Sequence, residues 1–163
     1  MIWAMMNRRG FSLIELTISL AVIGVLTGMA VIPFSRQKEH ARLSHAARSL
    51  VSDLRWARQM AVSTGEEISL ILYPAADRYW IEQVERPGIV VGVVKDFRDG
   101  SQEYGGTDLV GSSRGNVLKF FPKGTTNTWT TITLQNSDGR QQRITLLATG
   151  RVRLYKETDG GGS

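Results

Sequence analysis

The side chains that could perform chemistry are few, and most of them are cationic. The chain of 163 residues contains no Cys and only two His, His40 and His45. The absence of thiols excludes disulfides, thiolate metal sites and thiol nucleophiles. Two histidines five residues apart do not share a helix face, so they predict no metal pair. Because there is also no phosphate-cradling Gly loop and no base for a Ser-His-Asp arrangement, the sequence predicts no enzyme, no metal site and no cofactor.

The cationic side chains are concentrated in the last third of the chain. Residues 110–163 contain eight Lys and Arg against three Asp and Glu, a net charge of +5. The candidate binding residues in this region are Arg140, Arg143, Arg151, Arg153 and Lys156. Arginines at i and i+2 project from one side of a strand and can contact successive phosphates. Charges on an edge strand also discourage aggregation, so both interpretations of the cluster stay open.

A different candidate site lies near the N-terminus, where Arg8, Arg9 and Gly10 precede a long apolar stretch. Residues 11–34 carry only one formal charge, on Glu15. As a helix this stretch is about 36 Å long, enough to cross a hydrocarbon layer of about 30 Å. The paired arginines predict a cytoplasmic N-terminus and an external remainder. A secretory signal has its small residue after the apolar stretch; here Gly10 comes before it, which predicts a cleavage that keeps the helix.

The run from Arg8 through Gly10 to Leu16 resembles the class III signal of type IV pilins and type II secretion pseudopilins. The resemblance implies that a prepilin peptidase cuts after Gly10 and methylates the new N-terminal residue, Phe11. It also implies that Glu15 pairs with the N-terminal amine of a neighbouring subunit in a filament, which would set the register between subunits. The alternative for Glu15 is an edge residue that reaches the lipid headgroups.

Five segments are needed to position these sites. We predict a leader peptide (1–10), a transmembrane and assembly helix (11–35), an amphipathic stem helix (36–64), a β-rich globular head (65–158) and a flexible tail (159–163). Apolar residues recur at steps of three and four from Leu43 to Ala61, which predicts a helix face that packs on the chain's own sheet. Gly65 is expected to cap the C-terminal end of this helix.

Beyond Glu66 the apolar period changes to two, which is typical of strands. The predicted strands are 68–73, 79–84, 89–94, 117–121, 129–135, 143–147 and 151–155. Residues 95–116 contain five glycines and few large apolar residues, so they are predicted to form a long surface loop. The aromatic residues of the head are predicted to belong to the core or its cover, because a stacking platform for nucleobases needs several of them exposed beside arginines.

The turns between the last three strands determine where the arginines point. The apolar residues of these strands face each other only if the turns have an odd length, so 137–139 and 148–150 are predicted as three-residue turns ending in Gly. This register places Arg143, Arg151 and Arg153 together on the exposed face, as a basic stripe. The same alternation turns Val152 and Leu154 toward the core.

The later part of the chain resembles the H-type minor pseudopilins of type II secretion (GspH) and the FimT-like minor pilins of type IV pili. The residues that carry this resemblance are 50–58 before a Thr-Gly break, 121–124 and 150–153. It implies an α+β fold, with a long N-terminal helix packed on an antiparallel β-sandwich-like head.

The same resemblance implies two alternative functions. One is a structural subunit at or near the tip of a type II secretion pseudopilus or type IV pilus, which assists assembly and protein secretion. The other is a minor pilin that binds DNA for uptake in natural transformation, and the possible DNA-binding residues are then Arg140, Arg143, Arg151, Arg153 and Lys156. The implied partners are other pilins or pseudopilins, contacted through the N-terminal helix, together with the prepilin peptidase, the inner membrane and, in the second case, DNA. The implied location is the bacterial inner membrane, with a single pass and a periplasmic head.

Overall fold

The structure is a computed structural model that describes residues 12–85, 90–92, 94–99 and 104–155, with the side chains of 29–37 excluded. Within these residues one long helix precedes two antiparallel sheets, which confirms the predicted α+β fold. The elements are α1 (Leu13–Thr64), β1 (Ile68–Tyr73), β2 (Arg78–Gln83), β3 (Lys95–Asp96), β4 (Thr107–Ser112), β5 (Val117–Phe120), β6 (Thr130–Asn136), β7 (Gln141–Leu146) and β8 (Val152–Leu154). The predicted leader and tail lie outside the described residues.

The chain divides into two compact units, which meet between Gln37 and Lys38. In the first unit α1 begins directly after Ser12, whose carbonyl oxygen accepts a hydrogen bond from the Leu16 N–H at 3.1 Å. Among the described residues, no helix satisfies both the length and the apolarity that crossing a membrane demands.

The second unit contains the stem, residues 38–64 of α1, and both sheets. The predicted apolar face of the stem is confirmed, because Leu43, Leu50 and Leu54 and the alanines between and after them are fully buried. Burying each of these leucines stabilises the unit by about 1.5–3 kcal/mol. The stem ends as predicted: Gly65 has φ +74° and its N–H donates to the Ala61 carbonyl oxygen at 3.1 Å.

The strands form two sheets of four. The first sheet has the order β3-β2-β1-β5, and the second sheet has the order β4-β6-β7-β8. Their apolar inner faces and the stem form one buried core. The predicted strand 68–73 is confirmed to the residue, and the strands predicted at 79, 117, 129, 143 and 151 are present with ends shifted by one or two residues.

Two predictions for the middle of the chain are wrong. In the described part of 89–94, only an isolated bridge between Val90 and Glu82 forms, in place of a strand. Residues 95–116, predicted as a loop, contain β3 and the six-residue strand β4. Strand β4 is held by its pairing with β6 and by Asp77, whose Oδ1 accepts a hydrogen bond from the Leu109 N–H at 2.9 Å. Neither the pairing with β6 nor the hydrogen bond to Asp77 produces a local apolar pattern in the sequence.

Both predicted three-residue turns of the second sheet are confirmed. Ile132 pairs with Ile144, and Ile144 pairs with Leu154, so residues 137–139 and 148–150 are left as the turns. Gly139 and Gly150 end these turns with φ of +80° and +75°. The prediction that Leu154 belongs to the core is wrong. Because β8 is the last strand of the sheet, the side chain of Leu154 is not covered and remains 39% exposed.

Candidate functional site

The outer face of the second sheet carries the predicted basic stripe. Along β7 the side chains of Gln142, Ile144 and Leu146 are buried, while Arg143 points outward. Arg151 and Arg153 project from the same side of the neighbouring strand β8, and Thr145 pairs directly with Arg153. Because residues two apart on a strand are about 6.6 Å apart, the side chains of Arg151 and Arg153 leave the backbone close to each other. We call Arg143, Arg151 and Arg153 the basic face; all three side chains are exposed.

Of the other two candidates, one lies away from this face and one is not among the described residues. Arg140 lies at the end of the β6–β7 turn, is half-buried, and has a guanidinium nitrogen 3.2 Å from His40 Nδ1 on the stem. Arg140 therefore joins the head to the stem. Lys156 lies outside the described residues. The basic face accordingly consists of three of the five predicted arginine and lysine side chains.

Sequence reasoning missed an aromatic extension of the basic face. Trp129 precedes β6 and follows the outward alternation of that strand, and it is 48% exposed. The Arg114 guanidinium lies over its ring, 4.0 Å from the centroid, in a cation–π contact. Extending the strand register places Leu147 opposite both Trp129 and Arg151. The sequence does contain a signal for this position of Trp129, because the odd-numbered residues of β6 alternate to the outer side of the sheet.

The start of β8 is fixed against α1 by a contact that sequence periodicity does not reveal. Arg58 Nε on the stem donates a hydrogen bond to the Gly124 carbonyl oxygen at 2.8 Å. Gly150 packs on this pair so closely that a Cβ at its position would overlap the Gly124 oxygen and lie 2.7 Å from Arg58 Nε. We call Arg58, Gly124 and Gly150 the stem latch. The stem latch joins the segments 50–58, 121–124 and 150–153, whose motifs are separate in the sequence. It also positions the turn 148–150, which directly precedes Arg151 and Arg153.

A partly buried polar cluster fixes the stem on the first sheet. The Tyr79 hydroxyl donates to Asp53 Oδ2 at 2.6 Å, and Lys95 Nζ lies 3.6 Å from the same oxygen. Lys95 Nζ also donates to Ser49 Oγ at 2.8 Å. Burial, reinforced by the charge of Asp53, raises the pKa of Tyr79 far above its ordinary value. Tyr79 therefore remains a neutral donor across the physiological pH range, and the cluster serves packing.

The N-terminal site residues are only partly within the described structure. Gly10 and Phe11, the predicted processing residues, lie outside it. Glu15 lies in the first turn of α1 with an exposed side chain. Among the described residues, no group of three or more His, Cys, Asp or Glu is placed to hold a metal ion.

Comparison with known proteins assigns the chain to a family. Residues 46–150 match the family model of the type II transport protein GspH, which is more than half of the chain. The chain belongs to the GspH family. Residues 5–31 also match the prokaryotic N-terminal methylation motif. The predicted resemblance to GspH and to the type IV pilin-like superfamily is thereby confirmed.

Individual relatives agree with this assignment. The GspH-family chain is 30% identical over 158 residues to the pilin-like protein PilA1 of Thermus thermophilus, which covers 91% of this chain and 99% of that protein. A fimbrial protein of Pseudomonas aeruginosa is 32% identical over 120 residues, with 71% and 76% covered. Both relatives are pilin or fimbrial proteins by name, and the match to the GspH family confirms the prediction that the chain is not an enzyme.

Two solved structures share the fold. The type IV minor pilin FimU of Pseudomonas aeruginosa has a TM-score of 0.56 at 24% identity, covering 76% of this chain and 93% of that chain. The minor pseudopilin EpsH from the type 2 secretion system of Vibrio cholerae has a TM-score of 0.53 at 16% identity, covering 70% and 96%. One neighbour belongs to each kind of fibre, so the shared fold does not distinguish a pilus from a pseudopilus.

Proposed function

We propose that this GspH-family chain is a structural subunit at or near the tip of a pseudopilus or pilus, where it assists fibre assembly and protein secretion. The observation that carries the proposal is the presence, in one chain, of the methylation-motif match at 5–31 and the GspH match at 46–150. The first segment supplies the helix through which subunits bundle, and the second supplies the head.

In this proposal the chain is processed and held in the inner membrane before assembly. Prepilin peptidase cuts after Gly10 and methylates Phe11, while residues 11–35 form the single membrane pass with the head in the periplasm. Nine large apolar side chains between Leu13 and Leu26 are more than half exposed along α1. An apolar surface of this size is unfavourable in water, and lipid or neighbouring helices would cover it.

Glu15 is the proposed assembly residue. Its carboxylate, exposed in the first turn of α1, would pair in the fibre with the Phe11 amine of a neighbouring subunit. A charge buried in a helix bundle without a partner costs several kcal/mol, so correct pairing would fix the subunit register.

The test compares the amount of subunit in sheared fibres with the amount in the membrane fraction. Glu15→Ala is expected to leave the membrane fraction intact and to lower fibre incorporation at least about tenfold, because breaking a buried ion pair costs about 3–5 kcal/mol. Glu85→Ala removes the same charge from an exposed position on the head and is the matched control. Equal incorporation of both variants would remove the assembly role of Glu15.

A second candidate function is DNA binding for natural transformation, and the basic face is the observation that favours it. Three exposed arginines on neighbouring strands form a surface suited to phosphates. With about three phosphate contacts, the logarithm of the affinity should fall with the logarithm of salt concentration with a slope of about −2.7.

The DNA test is a titration of the detergent-solubilised full chain with duplex DNA at two salt concentrations. Replacing Arg151 and Arg153 by Ala should weaken binding and reduce the slope by about 1.8. Arg48 and Arg55 are exposed on the stem, and replacing both by Ala removes the same charge away from the basic face. If the two double variants bind alike, the basic face is not a DNA site.

A further inference from the structure

The strand β8 leaves one edge of the second sheet open. The sheet ends at β8, and no other described strand pairs with its outer side. Leu147 donates its N–H to the Arg151 carbonyl oxygen, and Tyr155 donates its N–H to the Arg143 carbonyl oxygen, both at 2.9 Å. Residues 151, 153 and 155 therefore direct their backbone groups toward β7. By the alternation of an antiparallel ladder, the N–H and C=O groups of Val152 and Leu154 point away from the sheet.

This edge has little of the protection that sheet edges normally carry. Residues 151–155 contain no Pro and pair with β7 without a register shift. On the inner side Val152 is only partly buried against the core, and Leu154 is 39% exposed. Among the described residues, this edge is protected by the short length of β8, three residues, and by the charges of Arg151 and Arg153. An added strand would bury the exposed part of Leu154 and extend the core.

The charges also determine which strand can be added. Two copies of β8 paired antiparallel about Arg153 would set that arginine against itself, and a shift by two residues would oppose Arg151 to Arg153. Like charges directly opposite destabilise a strand pair, whereas opposite charges stabilise it. A third register, centred on Leu154, sets Arg153 against Tyr155 and so gains no opposite-charge pair at Arg153. A strand with acidic residues opposite both arginines is therefore favoured over a second copy.

We propose that the outer edge of β8 is a docking site for an extended segment of a different fibre subunit, in which acidic side chains alternate with apolar ones. The acidic side chains lie opposite Arg151 and Arg153, and the apolar ones lie beside Val152 and Leu154. The main-chain hydrogen bonds supply affinity and the alternation supplies specificity, as in other cases of strand addition. The stem latch holds the first residue of the edge in place. This inference rests on the proposed function as a fibre subunit.

The experiment measures binding of dye-labelled peptides to the full chain in detergent. The probe is an acetylated six-residue peptide of alternating Glu and Val, and the control peptide has the same composition arranged as three Glu followed by three Val. The alternating peptide should bind at least about tenfold more tightly, a difference worth about 1.4 kcal/mol. Hydrogen exchange at the Val152 and Leu154 amides should slow when it binds.

Two variants separate backbone pairing from packing. Leu154→Pro removes an outward N–H while leaving the ladder with β7 intact, since Pro is tolerated where the N–H faces away from the sheet. It should weaken the peptide at least about tenfold, whereas Leu154→Ala keeps the N–H and should weaken it less. If Leu154→Pro unfolds, the amide exchange of the unaltered chain decides alone.

The proposal is overturned if both peptides bind equally, or if the Val152 and Leu154 amides are unchanged by the alternating peptide. Tight binding of duplex DNA that competes with the peptide at this edge would also overturn it, in favour of nucleic acid. The assay uses the isolated chain, so its failure is distinguishable from a failure of fibre incorporation, which the Glu15 experiment measures.

Discussion

Replacing Gly150 by Ala should destabilise the head much more than the same change at Gly139. The two glycines end equivalent three-residue turns, with φ of +75° and +80°. A side chain in the left-handed conformation costs about 1–2 kcal/mol at either position. At Gly139 the atom nearest to an added Cβ is Gln135 Nε2 at 3.7 Å, an ordinary contact. The backbone cost is therefore the whole expected cost there.

At Gly150 the added Cβ meets the stem latch. It would overlap the Gly124 oxygen and lie 2.7 Å from Arg58 Nε, so either the backbone or the hydrogen bond must shift. Overpacking of this kind typically costs about 1–3 kcal/mol more. We therefore expect the free energy of unfolding to fall by about 2–5 kcal/mol for Gly150→Ala and by about 1–2 kcal/mol for Gly139→Ala.

Urea unfolding of the full chain in detergent, followed by Trp fluorescence, measures this difference. Of the four Trp, Trp3 lies in the predicted leader, whereas Trp56, Trp80 and Trp129 lie in the second unit, so the signal of the processed chain reports that unit. The midpoint should fall further for Gly150→Ala with an unchanged dependence on urea. An equal loss in both variants would refute the view that the stem latch holds the start of β8.

Three other changes test separate contacts. Arg58→Met keeps the apolar stem but removes the charged hydrogen bond to Gly124, and should lower the free energy of unfolding by about 1.5–3 kcal/mol in the same assay. Because the pKa of Tyr79 is raised in the folded protein, its contribution to the free energy of unfolding should be complete below about pH 10 and should fall as the pH rises further, by up to about 1.4 kcal/mol per pH unit. Tyr79→Phe should remove most of that slope in pH-dependent melts. Asp77→Ala removes the acceptor of the Leu109 N–H and requires Ala at φ +51°, so it should cost about 2–4 kcal/mol, whereas Asp77→Asn should cost less, because its side-chain oxygen can still accept.

The local patterns of the sequence predicted the elements whose burial is decided within a few residues. The stripe from Leu43 to Ala61 and the run at 68–73 each show their period directly, and Gly65 marks the helix end. The odd length of the turns at 137–139 and 148–150 was also predictable, because a shift of one residue would have moved the apolar side chains of whole strands to the exposed face.

The errors share a physical cause, which is that long-range contacts leave no local period. Strand β4 contains a shifted register at Gly111 and depends on Asp77, 32 residues away from Leu109. The exposure of Leu154 follows from the edge position of β8, which alternation alone does not encode. Arg58 lies 66 residues from Gly124, so the stem latch was visible only once the fold was known.

Assembly through the N-terminal helix requires the proposed processing between Gly10 and Phe11. Mass spectrometry of the N-terminal peptide, taken from the protein in sheared fibres, measures it. We expect a peptide that begins with N-methylated Phe11 and contains Glu15. A fibre protein that still carries residues 1–10, or one that has lost residues 11–34, would contradict it.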